Sequence, residues 1–444
     1  MKKRPFARME VTNELLTANV GLAVIGQLMR IAGIEHVHSN RNRHRDTVSD
    51  ADILKAHCGL LSVGKVGFDH IRLFADDLYF MDALGIDHMP KEATLRLRFE
   101  SMSQDLRTHE DVFGCSIRLL GKTNVLPEPI AISGFSWVRV DTDTSIFDNS
   151  NSKKEGVEVG YTKVAGYAPV CSFLEGGFVV GAQLCPGAQN VLHEGHENYF
   201  STVRDHVRTL FPDNAVLWVA DAAFDDITHM SSRHADGDCF IIKRNPRRAA
   251  KKPLIALAKE EGSAKRPRPG KTVYTGETLR KRGDMSSLRL IYEVTERTSK
   301  KGKQLLIPEY TIFSIWTNLP PEIETNAVLQ LYRDRGTCEQ YFAEIKSELA
   351  LERLPSGKFA VNALYFQLGM FVNNMLRVIG RGILSNNVGG LRQATRRRLR
   401  TVMQNLMYLC GRIVRHARSI VVKVKSNRGF GEALCEMYRR YSII

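Results

Sequence analysis

The chain has 444 residues, 43% hydrophobic and 25% charged, which is ordinary for a soluble globular protein of two or three domains. No apolar run is long enough to span a bilayer, and the eight cysteines include no pair two to four residues apart, which argues against a zinc ribbon or a disulfide framework. The net charge of +15 is segregated: residues 240–305 carry 19 Lys/Arg against 6 Asp/Glu, residues 392–444 carry 13 against 2, and the remainder is acidic, a pattern that suits binding to a polyanion.

Residues 1–130 read as a helical region. Leu15, Leu16, Val20, Leu22, Ile25 and Leu28 suit one helix broken at Gly33, and Asn19, Gln27 and Arg30 interrupt it too often for a signal peptide, so a reduced, cytoplasmic protein is expected. Ser49 or Asp50 is placed to cap a second helix over 51–58, and a third spans 68–84 and stops at Gly85. Residues 89–98 open on Pro90 and Glu92 and continue with Arg96 and Arg98. Short helices ending in a basic one fit a helix-turn-helix that binds DNA ends, and equally a plain helical cap.

From residue 131 the pattern turns to strands. Residues 136–143 alternate, with Trp137 and Arg139 on the parity of Asp141 and Asp143. Runs at 167–174 and 178–184 are joined by Glu175-Gly-Gly177, a hairpin signal. Residues 196–211 have helical spacing, and Ala215-Val-Leu-Trp-Val-Ala220 is a continuous apolar run, suited to a buried strand, that ends in Asp221. The order is mixed α/β, with carboxylates at two strand ends. Residues 240–320 contain Pro246, Pro253, Pro267 and Pro269 and strand-like runs at 272–274, 288–295 and 310–316, so they read as a basic, β-rich insertion.

In 331–346, Tyr332, Arg335, Glu339 and Lys346 stand at offsets of three, four and seven, which keeps them near one face of an amphipathic helix or helical hairpin. The plain alternative is a solvated ion pair of Arg335 with Glu339. A long helix over 360–379 and a basic helix over 391–420 complete the regular structure.

Asp143, Asp221 and Glu339 are the oxygen donors that two Mg²⁺ (or Mn²⁺) ions need to activate a water or 3′-hydroxyl and stabilise the leaving oxygen of a phosphodiester. Arg335 and Lys346 would hold phosphate, and Tyr332 would stack on a base or bond to a phosphate. Three other groups weigh less. His193-Glu-Gly-His-Glu197 has its histidines three apart, not the four of a zincin, and reads as a surface turn. Cys171 and Cys185 read as core. Arg396, Arg397, Arg398 and Arg400 form either a solvated helix face or a DNA contact.

Tyr332, two residues, Arg335, three residues, Glu339, six residues, Lys346 resembles the signature of DDE transposases from bacterial insertion sequences, the cut-and-paste group with a ribonuclease-H-like core. The runs Asp141-Thr-Asp-Thr-Ser-Ile-Phe-Asp-Asn-Ser150 and Val219-Ala-Asp-Ala-Ala-Phe224 resemble that group's two catalytic strands, with Ala222 where Ser or Gly is usual. The resemblance spans roughly 130–380. It implies a ribonuclease-H-like mixed sheet interrupted by a β-rich insertion, with helical ends. The implied division is 1–130 helical, 131–239 first part of the core, 240–320 insertion, 321–385 second part of the core, and 386–444 basic and helical. It implies Asp143, Asp221 and Glu339 as the metal triad, with Asp141 the alternative to Asp143. It also implies that Arg335 and Lys346 contact DNA, while for Arg396, Arg397, Arg398 and Arg400 the segregated charge sets DNA contact beside the solvated-face reading. The implied activity is cleavage at terminal inverted repeats and transfer of 3′-hydroxyl ends to target DNA. The implied partner is double-stranded DNA rather than a membrane, bound by a homodimer or higher oligomer. Two alternatives stand beside it: a metal-dependent endonuclease without strand transfer, and a catalytically lapsed DNA-binding descendant.

Overall fold

The computed structural model describes residues 9–38, 48–160, 162–189, 192, 196–245, 251–301, 303–385, 394–416 and 419–444. The chain divides into a mainly helical unit (1–123, 348–350 and 371–444) and a sheet-based unit (124–347 and 351–370).

The helical unit begins with α1 (Leu22–Ala32), which ends where Gly33 turns left-handed at φ 71°. α2 (Asp50–Ser62) starts at Ser49 through a reciprocal cap. The Ser49 side chain accepts from the Asp52 amide, and the Asp52 carboxylate accepts from the Ser49 amide. A 3-10 stretch (Phe68–Phe74) and α3 (Leu78–Leu84, stopped at Gly85) divide what spacing alone presents as one helix. Gly26 of α1 faces the Ala83 carbonyl so closely that a Cβ would stand 1.9 Å from it, so α1 and α3 pack only because that residue has no side chain. α4 (Glu92–Met102) buries Leu95, Phe99 and Met102. Its Arg96 and Arg98, the residues that suggest a DNA-reading helix, are ion-paired with Glu92 and Asp50. α5 (Leu106–Thr123) has no counterpart among the expected elements.

The C-terminal part of this unit departs from expectation. Residues 391–393 and 417–418 lie outside the described residues. Between and after them stand a four-residue helix (Leu399–Val402), a π-turn (Met403–Met407), a hairpin (Gly411–His416 with Ser419–Val424) and a last helix (Phe430–Ser442), not one basic helix. The β-branched runs Ile413-Val414 and Ile420-Val-Val422 favour strand over helix. Leu16–Thr17 pairs with the first hairpin strand to make a three-stranded sheet.

Among the described residues, the large sheet of the sheet-based unit has ten strands. They are β1 (Ile130–Ile132), β2 (Phe135–Thr144), β3 (Val170–Leu174), β4 (Phe178–Gln183), β5 (Ala215–Ala220), β6 (Cys239–Lys243), β7 (Ser263–Arg268), β8 (Lys271–Arg282), β9 (Met285–Lys300) and β10 (Lys303–Thr317). Their order is β7-β8-β9-β10-β6-β5-β2-β3-β4, with β1 on the edge of β2. β2, β5 and β6 run parallel, and the other pairings are antiparallel. α6 (His196–Leu210) leads into β5, and α7 (Ile227–Ala235) leads into β6.

The strands of the expected insertion pair directly onto β6 through β10, and they are much longer than the apolar runs that reveal them. Their outer halves carry polar residues on both faces, which erases the period-two signal. Pro253, which reads as a breaker, sits in the first turn of α8 (Lys251–Glu261), where a missing N–H costs nothing. Pro246 lies outside the described residues.

One sheet face buries Leu217, Val219, Ile241, Ile291 and Ile315 under Val328, Leu329, Leu331 and Tyr332 of α9 (Thr325–Arg333). The alternate residues face the other way, where Trp218 meets Phe200 of α6 with ring centroids 5.4 Å apart. α10 (Thr337–Ser347) sets Tyr341 and Phe342 against Phe173 of β3. The long helix expected over 360–379 is α11 (Phe359–Ser385). No helix among the described residues is long and apolar enough to cross a membrane.

Candidate active site

β2 is buried along most of its length and presents two aspartates two residues apart. They have different partners. Asp141, 4% exposed, is taken by Arg139 of the same strand, at 2.9 Å from Nε and 2.8 Å from Nη2. Burial raises the Asp141 pKa against the pull of Arg139 and Arg335. Asp143 accepts from the Thr144 amide at 2.8 Å and meets the Arg335 guanidinium at 2.7 Å.

β5 ends in Asp221. The parallel register sets Asp141 level with Val219 and Thr142 level with Ala220, so the strands carry Asp143 and Asp221 to the same height on adjacent strands. Asp221 also caps the short 3-10 turn Ala222–Phe224 by accepting from the Ala223 amide at 2.9 Å. Glu339 lies exposed in the first turn of α10.

Electrostatics link the three carboxylates. The Asp143 pKa is pushed up to about 6, first by burial, then by Asp221 and Glu339, against the lowering effects of Arg335 and the Thr144 amide. Arg335 alone does not neutralise the acids around Asp143. Burial would lower the Arg335 pKa, but Asp143, Tyr332 and Asp221 outweigh it and raise it.

The 331–346 stretch is not a single helix. α9 and α10 are separated by the 3-10 turn Asp334–Gly336, and the Thr337 hydroxyl donates to the Asp334 carbonyl at 3.0 Å. The break turns Arg335 toward Asp143, and no ion pair joins it to Glu339 among the described residues, so the solvated-pair alternative does not hold. The Arg335 Nε is buried and has no hydrogen-bond partner among the described residues.

Tyr332 is 9% exposed, lies against Phe313 at 5.3 Å between centroids, and sits beside Arg335. Burial, and the nearby Asp221 and Asp143, push its hydroxyl up to about 12. Its ring face is therefore not offered to a base. Lys346 donates from Nζ to the Ile146 carbonyl at 2.7 Å and lies over the Phe147 ring, and burial lowers its pKa despite Glu352 and Asp148. It thus ties α10 to the segment just after Asp143.

In the helical unit, Arg398 pairs with buried Glu348 at 2.6 Å, and Glu348 also accepts from the Arg400 amide at 2.7 Å. Arg396 and Arg397 are half-buried. Arg396 and Arg397 form the approach to a short helix, Arg398 stands at its N-cap, and Arg400 lies exposed within it.

His193, Glu194 and Gly195 lie outside the described residues, but His196 and Glu197 do not form a surface turn. His196 and Glu197 open α6, and Glu197 binds Arg233, accepts from the Ser232 hydroxyl at 3.0 Å, and lies 3.6 Å from His229 Nδ1. Burial opposes its ionisation, but His229, Arg233 and Ser232 outweigh that and bring its pKa down to about 2. Ligand atoms of His196, Glu197 and His229 lie within 4.8 Å of one another. Neither Arg139 as the partner of Asp141 nor this network stands out in sequence. Arg139 could have been found from its i, i+2 position on the strand, whereas His229 and Arg233 offer no local signal.

No curated protein matches the chain. Among solved structures it is similar to a piggyBac transposase in a synaptic complex with hairpin DNA, at 11% identity and a TM-score of 0.41, over 89% of this chain and 83% of that one. A family model described as transposase DDE domain, group 1, matches residues 2–442. That match takes in nearly the whole chain, from α1 to the last helix, and the protein belongs to the DDE transposase family, group 1.

Proposed function

We propose that the protein binds the terminal inverted repeats of an insertion sequence, cuts the DNA at those ends, and joins the freed 3′-hydroxyls to target DNA, acting in the bacterial cytoplasm as a homodimer or larger assembly on DNA. The observation that carries this is the surroundings of Asp143. One carboxylate meets an arginine at 2.7 Å, and burial, joined by two further acids from different elements, raises its pKa to about 6. The sheet order β4-β3-β2-β5-β6, with β2, β5 and β6 parallel, supports a ribonuclease-H-like core.

The donors at Asp143, Asp221 and Glu339 are all carboxylate oxygens, which suits a hard cation, and their excess negative charge is what such a cation would offset. Bound there, Mg²⁺ or Mn²⁺ would supply an activated hydroxyl and stabilisation of the leaving oxygen. Asp141 is the weaker candidate for a ligand because Arg139 already occupies it.

Arg335 presents a buried, unpartnered Nε–H and holds a phosphate oxygen through its fork. The Tyr332 side chain lies beside Arg335 and orients it. Lys346 spends one of its three donors on Ile146 and keeps the strand end and α10 in register; its remaining donors face phosphate.

The test is cleavage of duplex DNA carrying the sequence that flanks the gene. Cutting in Mg²⁺ or Mn²⁺ but not in Ca²⁺, followed by joining of pre-cut 3′-ends to a second duplex, is the expected result. Cutting without joining would identify a nuclease. Binding with no reaction in any metal would identify a lapsed enzyme and overturn the proposal.

A further inference from the structure

At the strand ends beyond Asp221, on the sheet face opposite to the one that carries Asp143, lies a positive cluster that the roles above leave unused. β6 runs parallel to β5 with Ile242 level with Ala220, so Lys243 and Arg244 follow level with Asp221 and the turn after it. The Arg244 guanidinium lies over the indole of Trp316, 5.4 Å from the ring centroid, and Arg282 lies over the same ring at 5.0 Å. Trp316 is only 6% exposed and sits opposite Ile242 across the β6–β10 pair, so the ring is a fixed platform. A guanidinium stacked this way has its N–H fork held in place before any ligand arrives.

The charges around this platform do not balance. Asp225 is the carboxylate that faces it, and both its oxygens are engaged, one by Arg282 Nη1 at 2.5 Å and the other by the Asn245 amide at 2.7 Å. Arg244 and exposed Arg280 have no carboxylate partner among the described residues. Burial lowers the Arg244 pKa, Asp225 opposes this, and Arg282 and Arg280 add to it, so excess positive charge is held half-buried. Such charge costs free energy that an incoming anion would offset.

We propose that Arg244, stacked on Trp316, binds a backbone phosphate of the DNA away from the bond that is cut, with Arg280 adding charge. This rests on the proposed function for the identity of its ligand. A phosphodiester matches a planar fork, and the register sets Arg244 one strand over from the turn that follows Asp221, with its fork on the Trp316 face of the sheet.

The experiment measures affinity of the full chain for the end-bearing duplex in Ca²⁺, where no cutting intervenes, across a range of salt concentrations. Arg244→Gln is expected to weaken binding about tenfold and to reduce the slope of log affinity against log salt by roughly 0.9, the share of one phosphate. Arg244→Lys keeps the charge without the planar fork, and is expected to keep the slope while losing part of the affinity. Unchanged affinity and slope in Arg244→Gln, with an unchanged melting temperature, would overturn the inference. If that variant does not fold, wild-type affinity in Arg244→Lys would overturn it instead. The outcome is separable from the proposed function: a wild-type protein that never cuts would remove the transposase reading, while a reduced slope in Arg244→Gln would still assign the phosphate site.

Discussion

Asp141 and Asp143 share a strand face and differ in what has been placed against them. Asp141 is paired with an arginine of its own strand at 2.8 Å, whereas Asp143 meets an arginine from a distant turn at 2.7 Å and feels the charges of Asp221 and Glu339. Two expectations follow. Asp143→Asn should lower metal-dependent cleavage by about a thousandfold or more, whereas Asp141→Asn should keep a readily measured rate, and comparing the two in one cleavage assay decides which aspartate is the ligand. The second concerns pH without metal. The folded-state pKa of Asp143, about 6, lies above its usual value of 3.8, so the native state binds more protons than the unfolded state between those values. Stability attached to this group therefore falls as pH rises from about 4 to 6. Asn carries no such proton, so the melting temperature of Asp143→Asn relative to wild type should be higher at pH 7.5 than at pH 4.5. A pH-independent difference would mean that the fold does not raise the Asp143 pKa. Sequence showed the two aspartates and their shared parity. It could not rank them by environment, because Arg335 comes from a turn far along the chain.

At the scale of elements, legibility depended on whether the signal was local. Stops at Gly33 and Gly85, the Ser49 cap, the Glu175-Gly-Gly177 hairpin and the apolar run before Asp221 all came from short-range chemistry, and each appears in the fold. The break between α9 and α10 did not, since the spacing of Tyr332, Arg335, Glu339 and Lys346 fits an unbroken helix equally well. The C-terminal hairpin carries a readable β-branched run, but the neighbouring arginines drew the reading toward a helix. The turn after β5 offers a direct test of how element and site are joined, because Asp221 is both a carboxylate of the proposed site and the cap of Ala222–Phe224. Asn caps as well as Asp, whereas Ala does not cap, and losing a cap costs about 1 kcal/mol. Asp221→Asn and Asp221→Ala should therefore both abolish cleavage, while only the alanine variant should unfold at lower urea. Equal loss of stability in both would mean that the charge, not the cap, holds the turn.

For the molecule as a whole, the segregation of charge was visible from the start, but its meaning depends on which cations the fold leaves unpaired. Arg98, Arg289 and Arg398 are consumed by Asp50, Glu277 and Glu348, so a count of basic residues overstates what a polyanion can reach. Replacing Arg398 would test stability rather than DNA contact, since Glu348 would be left buried and uncompensated. The better probe is β7, an edge strand exposed along its whole length and carrying Lys265, Arg266 and Arg268. Two explanations compete there. Charges on an edge strand prevent pairing with other chains, and charges on a nucleic-acid enzyme neutralise phosphate. Replacing all three residues with Glu separates them, because Glu protects an edge as well as Lys does but repels DNA. If β7 contacts the backbone, the triple variant should remain soluble and melt like wild type. Its affinity for any duplex should fall, and its salt slope should drop by roughly 0.9 for each phosphate lost. A soluble variant with the wild-type slope would leave β7 with edge protection alone, and would shift the search for the non-specific contact to the C-terminal hairpin, where Arg412, Lys423 and Lys425 line a cavity of about 620 Å³.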